Sequence, residues 1–169
     1  MRWHLLSNGV FFYDLYKNAS TSIKLHKDQR YRNKHIEPNG TKIAVIRNPL
    51  DRLVSAYEHL YHEYRDFAAV VDHVANNPDS ILNPHFRAQS PQLVPFPDKL
   101  ILFENVNEEF AKMGLILEGV NWSKRSNWQS YYDEEMEKRV RERYSDDVEL
   151  YEGLGGVISS VSDDPGGPD

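Results

Sequence analysis

Two short stretches carry residue types from which an anion site can be built. The first is Tyr16-Lys17-Asn18-Ala19-Ser20-Thr21-Ser22-Ile23. Its loop from Lys17 to Ser22 offers a cation, three hydroxyls and successive backbone N–H groups where a helix begins, which is equipment for holding a phosphate-like group. The ordinary alternative is a strand-to-helix turn with Ser/Thr caps. The second stretch runs from Lys42 to Tyr64 and places Arg47 directly after the apolar run Ile43–Ile46, with Ser55 eight residues further on. An Arg at the carboxyl end of a strand and a Ser early in the following helix can grip one anion together. The competing use of Arg47 is a pairing with a carboxylate near the sheet edge. Arg52, on the helix face opposite Leu50, reads equally as a further ligand and as a solvated residue.

The elements that must position these groups are legible around them. Ile43–Ile46 has the continuous apolar character of a strand buried on both faces. Asn48 suits a helix cap and Pro49 the first helical position, so the chain turns sharply from strand into helix. Leu50, Leu53, Val54, Tyr57, Leu60, Tyr61 and Tyr64 then recur at spacings of three and four and make one apolar stripe. Val10–Leu15 reads as an earlier strand after an Asn8-Gly9 turn, with a helix starting within Thr21–Lys27. Asp66 caps a helix carrying Phe67, Val70, Val71 and Val74, which stops at Asn76-Asn77-Pro78. Five prolines from Pro78 to Pro97 predict a loop, ordered at best. Lys99–Phe103 is a third strand, followed by a short helix ending near Gly114. A last helix opens at Asp133 with Met136, Val140 and Tyr144 on one face, and its Glu134/Lys138, Glu135/Arg139 and Glu137/Arg141 pairs have the favourable orientation. Strands alternating with helices predict an α/β fold with a mainly parallel sheet.

A chain of 169 residues supports one domain with a sizeable core. The expected division is a domain over residues 1–152 and a flexible Gly/Ser/Asp/Pro-rich tail over 153–169. Net charge is −6, which argues against general binding to a nucleic-acid backbone. Lys17 to Arg52 nevertheless carries nine Lys/Arg against three acids, so one basic cleft is expected on an acidic protein. With no cysteine, disulfides, thiolate metal sites and cysteine nucleophiles are excluded. No constellation of metal ligands stands out. The N-terminus lacks a charged-then-apolar signal pattern, and no apolar run approaches the about 20 residues that span a bilayer.

Arg-Asn-Pro-Leu-Asp-Arg-Leu-Val-Ser-Ala-Tyr, residues 47–57, resembles the 3′-phosphate-binding signature of the sulfotransferases, and Lys-Asn-Ala-Ser-Thr-Ser-Ile, residues 17–23, is similar to their 5′-phosphosulfate loop. The likeness is to carbohydrate sulfotransferases of the heparan 2-O-/6-O- and chondroitin/HNK-1 type, and it covers about residues 9–151. It implies a three-layer, P-loop-like fold with helices flanking the sheet. It also implies 3′-phosphoadenosine 5′-phosphosulfate as co-substrate, no metal, and a carbohydrate or other hydroxyl as acceptor. Lys17, Asn18, Ala19, Ser20, Thr21 and Ser22 would then hold the phosphosulfate, and Arg47 and Ser55 the 3′-phosphate. Lys124, Arg125 and Ser126 occupy the place where such enzymes close a loop over the nucleotide, and Trp122, Trp128 or a neighbouring Tyr is a candidate to stack on adenine, against core packing as the commoner use of tryptophan. Asn-Pro-His-Phe-Arg-Ala-Gln, residues 83–89, resembles a further segment containing His and Gln. The family usually has Pro before the loop lysine, where this chain has Tyr16, and a longer insertion at Asp28–Gly40. Without the anchor and disulfides of Golgi members, the chain reads as a cytoplasmic enzyme of microbial or viral origin.

The resemblance implies a histidine between the two motifs as the base for the acceptor hydroxyl. That interval holds His26 and His35. His35 is nearer the strand end and is the expected base, with His85 and Glu58 in reserve. Two rival functions remain: a non-catalytic binder of the nucleotide or of a glycan, and a Mg-dependent phosphotransferase. Binding without sulfate transfer would mark the first. Turnover of ATP would mark the second, against which the absence of a G-x-x-x-x-G-K-[ST] loop already counts.

Overall fold

In the computed structural model, which describes residues 3–28, 39–63, 65–117 and 127–159 (for Ser20, its backbone), the apolar runs become strands of one sheet. The elements in chain order are β1 (Trp3–Leu5), β2 (Phe11–Tyr13), α1 (Ser20–Lys24), β3 (Lys42–Ile46), α2 (Pro49–Leu60), α3 (Phe67–Ala75), β4 (Lys99–Leu102), α4 (Val106–Lys112), α5 (Glu134–Arg143) and α6 (Ser145–Gly153). The strands lie in the order β1-β2-β3-β4. β2 pairs with β3 and β3 with β4 in parallel, with Tyr13 opposite Ala44 and Ile46 opposite Leu102. β1 runs antiparallel to β2, Trp3 facing Tyr13, so the sheet is mixed.

The chain divides into two compact units, Met1–Arg47 with Gln89–Trp122, and Asn48–Ala88 with Ser123–Asp169. The first holds the sheet, α1 and α4. Its core is built by Phe12, Ile43, Val45 and Ile101 from the strands, with Ile23 from α1 and Phe110 from α4. Each such side chain contributes about 1.5–3 kcal/mol when fully buried. The antiparallel β1 was not foreseeable from periodicity, because Trp-His-Leu is only three residues long and half-buried throughout. Leu6 N–H donates to Val10 O and Gly9, at φ 86, completes the expected Asn8-Gly9 turn between β1 and β2.

The second unit is helical. Asn48 Oδ1 accepts from the N–H groups of Leu50 and Asp51 and Pro49 takes the first turn, the capping that its sequence predicts. Leu50, Leu53, Val54 and Tyr57 are buried along the expected stripe. Phe67 of α3 makes edge-on ring contacts with Tyr57 (5.1 Å) and Tyr132 (5.0 Å), packing α3 and the 128–132 segment onto α2.

Arg52 departs from both of its expected uses. It is 2 % exposed, donates to the carbonyls of His85 (3.1 Å) and Arg87 (2.6 Å), and lies over the Tyr144 ring. It is a buried tether for the proline-rich loop. A second departure is the final helix, which breaks at Tyr144 into α5 and α6. Tyr144 is buried and its hydroxyl donates to Phe86 O, an anchor that local helix propensity does not contain. Glu137–Arg141 forms as expected, while Arg139 reaches across to Asp72 of α3. Beyond α6 the chain stays attached at Ile158, which is buried and whose carbonyl accepts from Arg141.

Candidate functional site

The strand β2 delivers the chain into the Lys17 loop under tight restraint. Leu15 is buried, and Asp14, also buried, accepts from Lys24 Nζ at 2.8 Å and lies 3.0 Å from His4 Nε2. One carboxylate thereby joins β1, the end of β2 and the last turn of α1. Burial pushes the Asp14 pKa up, but the bonds and charges of His4 and Lys24 outweigh it and hold the group below its ordinary value. A depressed carboxylate pKa contributes stability above the unfolded value of about 3.9, and that stability disappears as pH falls through the folded value. Asp14→Asn is therefore expected to cost about 1.5–3 kcal/mol at neutral pH. Its melting temperature should converge on that of the parent protein as both are acidified. A gap that persists unchanged into acid would show that the charge of Asp14 is not what holds α1.

Within the loop two non-glycine residues are left-handed, Lys17 at φ 66 and Ala19 at φ 58. Each such residue costs about 1–2 kcal/mol, so surrounding structure must hold them there. Ala19 packs its methyl on the core of the sheet unit, and Asn18 between them is fully buried. Ala19, rather than a Ser or Thr, is the N-cap of α1, with no side-chain cap bond. A left-handed Ala19 followed by helical Ser20 is the succession that turns neighbouring N–H groups to one side, as in anion-binding nests. Thr21 is exposed and Ser22 buried.

Arg47 stands at the carboxyl end of β3, 6 % exposed, with its guanidinium 4.3 Å over the Phe103 ring. Its Nη1 donates to the Lys17 carbonyl at 2.9 Å. The Arg47 side chain is thus joined directly to the Lys17 backbone. Gln89 joins them a second time. It is fully buried, its Oε1 accepts from Asn18 Nδ2 (2.6 Å) and Arg47 N–H (3.1 Å), and its Nε2 donates to Arg47 O (2.9 Å). Asn18 Nδ2 also reaches Val45 O at 2.6 Å, while Asn18 Oδ1 is buried without a hydrogen-bond partner.

Ser55, the other expected 3′-phosphate ligand, belongs to the helical unit and is buried in α2. Among the possible bases, His26 sits in the turn after α1, where its N–H donates to Ile23 O. His85 Nδ1 is 2.9 Å from Asn83 Oδ1, and its ring lies 5.6 Å from that of His59. Glu58 accepts from the Tyr131 hydroxyl at 2.8 Å. His35, Lys124, Arg125, Ser126 and Trp122 lie outside the described residues. Trp128 makes an edge contact with Tyr132, an ordinary packing use of its ring.

Sequence reasoning missed Asp14 and the role of Gln89. His4, Asp14 and Lys24 are ten positions apart in each direction, a spacing no helix or strand period marks. Gln89 stands in a proline-rich loop where a polar residue is ordinarily solvated. Among the described residues no group of three or more His, Asp or Glu side chains could hold a metal ion, and no helix is long and apolar enough to cross a membrane.

Comparison with curated proteins and with solved structures gives no match. A sequence model described as "Sulfotransferase family" matches residues 7–93, just over half of the chain, and spans the Lys17 loop, Arg47, Ser55 and Gln89. The chain belongs to the sulfotransferase family.

Proposed function

We propose that the protein transfers a sulfuryl group from 3′-phosphoadenosine 5′-phosphosulfate to a hydroxyl, most suitably one on a carbohydrate. The observation that carries the nucleotide reading is the direct joining of Lys17 and Arg47, since the two family motifs meet at one hydrogen bond and share Gln89. In this reading the strained Lys17–Ser22 loop holds the phosphosulfate through its N–H groups, with Lys17 facing the oxygen that bridges phosphorus and sulfur. Arg47 and Ser55 take the 3′-phosphate, and Lys124, Arg125 and Ser126 close over the nucleotide. The three-layer, P-loop-like arrangement of the resembling enzymes belongs to the same proposal.

The reaction is an in-line displacement. The acceptor oxygen bonds to sulfur as the bond from sulfur to the bridging oxygen breaks, the acceptor proton passes to a base, and adenosine 3′,5′-bisphosphate leaves. Positioning and charge neutralisation dominate such transfers. Lys17 stabilises the negative charge that gathers on the departing oxygen. The chemistry asks no metal of the protein.

Calorimetry with the desulfated product tests the nucleotide assignment. Adenosine 3′,5′-bisphosphate is expected to bind more tightly than adenosine 5′-monophosphate by about 1.5–3 kcal/mol, the worth of a charge-assisted contact to the 3′-phosphate. Equal affinities would remove Arg47 and Ser55 from that role.

A further inference from the structure

Beyond the ligands themselves, we propose that Gln89 is a positioning residue that sets the register between the phosphosulfate loop and Arg47, and thereby makes the two phosphate subsites act on one nucleotide together. The proposal rests on the nucleotide reading above. Its basis is the end of the parallel ladder. β2 follows β3 only as far as the pair Tyr13–Ala44, after which β2 turns away into the loop. β3 continues, and the backbone groups of Val45 and Arg47 point the same way along it, because alternate residues of a strand share a direction. Two side-chain amides take up the positions that a longer β2 would have filled. Asn18 Nδ2 satisfies Val45 O, and Gln89 captures both N–H and C=O of Arg47.

An amide side chain offers one oxygen with two lone pairs and one NH2 group. Gln89 Oε1 spends both lone pairs, one on Asn18 and one on Arg47, so a single atom joins segments 71 and 42 residues away. Asn18 is held through its nitrogen alone, since its oxygen has no partner. The left-handed residues on either side of Asn18 would relax without that hold. A structural glutamine elsewhere in the core would serve stability only. This one joins the Asn18 side chain of the loop to the backbone that carries the Arg47 guanidinium, so its loss alters the spacing of two charges that must bind one rigid ligand.

The consequence is specific. Two subsites held at the ligand's own spacing act cooperatively, and two that drift act singly. In the parent protein the affinity ratio of adenosine 3′,5′-bisphosphate to adenosine 5′-monophosphate measures that cooperation. Gln89→Met preserves length and fills the space with no polar atom. Gln89→Glu keeps the acceptor but sets a carboxylate oxygen against Arg47 O. In both variants the ratio is expected to collapse by about 10-fold to 100-fold, with the monophosphate affinity much less affected. A residue that merely stabilised the fold would scale both affinities by the folded fraction and leave their ratio unmoved. Thermal unfolding identifies which variants are folded, and Asn18→Ala, which cuts the same link from its other end, must give the same fall. An unchanged ratio in any folded variant of the three overturns the proposal while leaving the nucleotide reading intact. A parent protein with no preference for the bisphosphate overturns both.

Discussion

Replacing Lys17 by Ala lowers the turnover number by about 10²–10³-fold while weakening the binding of adenosine 3′,5′-bisphosphate far less. The asymmetry follows from when the charge appears. In the ground state the bridging oxygen shares its electrons with sulfur, and full negative charge reaches it only as the sulfur–oxygen bond breaks. A cation placed there stabilises the transition state more than either the bound substrate or the product. The left-handed backbone at Lys17 and the bond from Arg47 to its carbonyl fix the root of this side chain. Single-turnover kinetics with product-binding calorimetry separate the two quantities. A variant that loses product affinity and keeps its turnover number would make Lys17 a binding residue only.

The second large effect is expected at the base. His35→Ala should reduce sulfate transfer by about 10²–10⁴-fold and leave nucleotide affinity nearly unchanged, because a base for the acceptor hydroxyl does not touch the 3′-phosphate. The necessary controls are His26→Ala, His85→Ala and Glu58→Ala. Glu58 already accepts from the Tyr131 hydroxyl, and His85 already meets Asn83 through Nδ1. Either interaction could orient its group for proton transfer as readily as it could occupy it, so the four variants are compared at equal nucleotide saturation. Loss confined to a control would pass the role to that residue. The sulfotransferase assignment would stand, since it rests on the two phosphate motifs and the family match.

Particular residues show why some of this was readable in advance. Ile43–Ile46 and the Asn48-Pro49 cap are local signals, and the structure forms the strand and helix that they specify. The helices α3 and α4 also follow from nearby residues, through apolar spacing and Gly114 at φ 76 after α4, although Asp66 sits at the N-cap of α3 without a side-chain cap bond. Arg52 and Tyr144 resisted such reading because their partners are distant. Arg52 is polar in sequence yet buried, since the carbonyls of residues 85 and 87 await it. Tyr144 breaks a helix that its own neighbours would continue, since Phe86 O holds its hydroxyl. Gln89 is the same case at the site. Its type and neighbourhood read as loop, and only the fold shows that its amide completes a strand ladder beside Arg47. The Lys17 loop lies between these extremes. Its composition raised the expectation of an anion-binding loop, while left-handed Lys17 and Ala19 were hidden because neither residue type favours that conformation.

The most direct test of the central claim is transfer of labelled sulfate from 3′-phosphoadenosine 5′-[35S]phosphosulfate to a panel of glycans and simple alcohols. The expected result is label on an acceptor hydroxyl, with adenosine 3′,5′-bisphosphate released in equal amount and no requirement for added divalent metal. Tight binding of the bisphosphate with no label on any acceptor would contradict the claim and leave a binding protein. Turnover of ATP with Mg in place of sulfate transfer would contradict it in favour of a phosphotransferase.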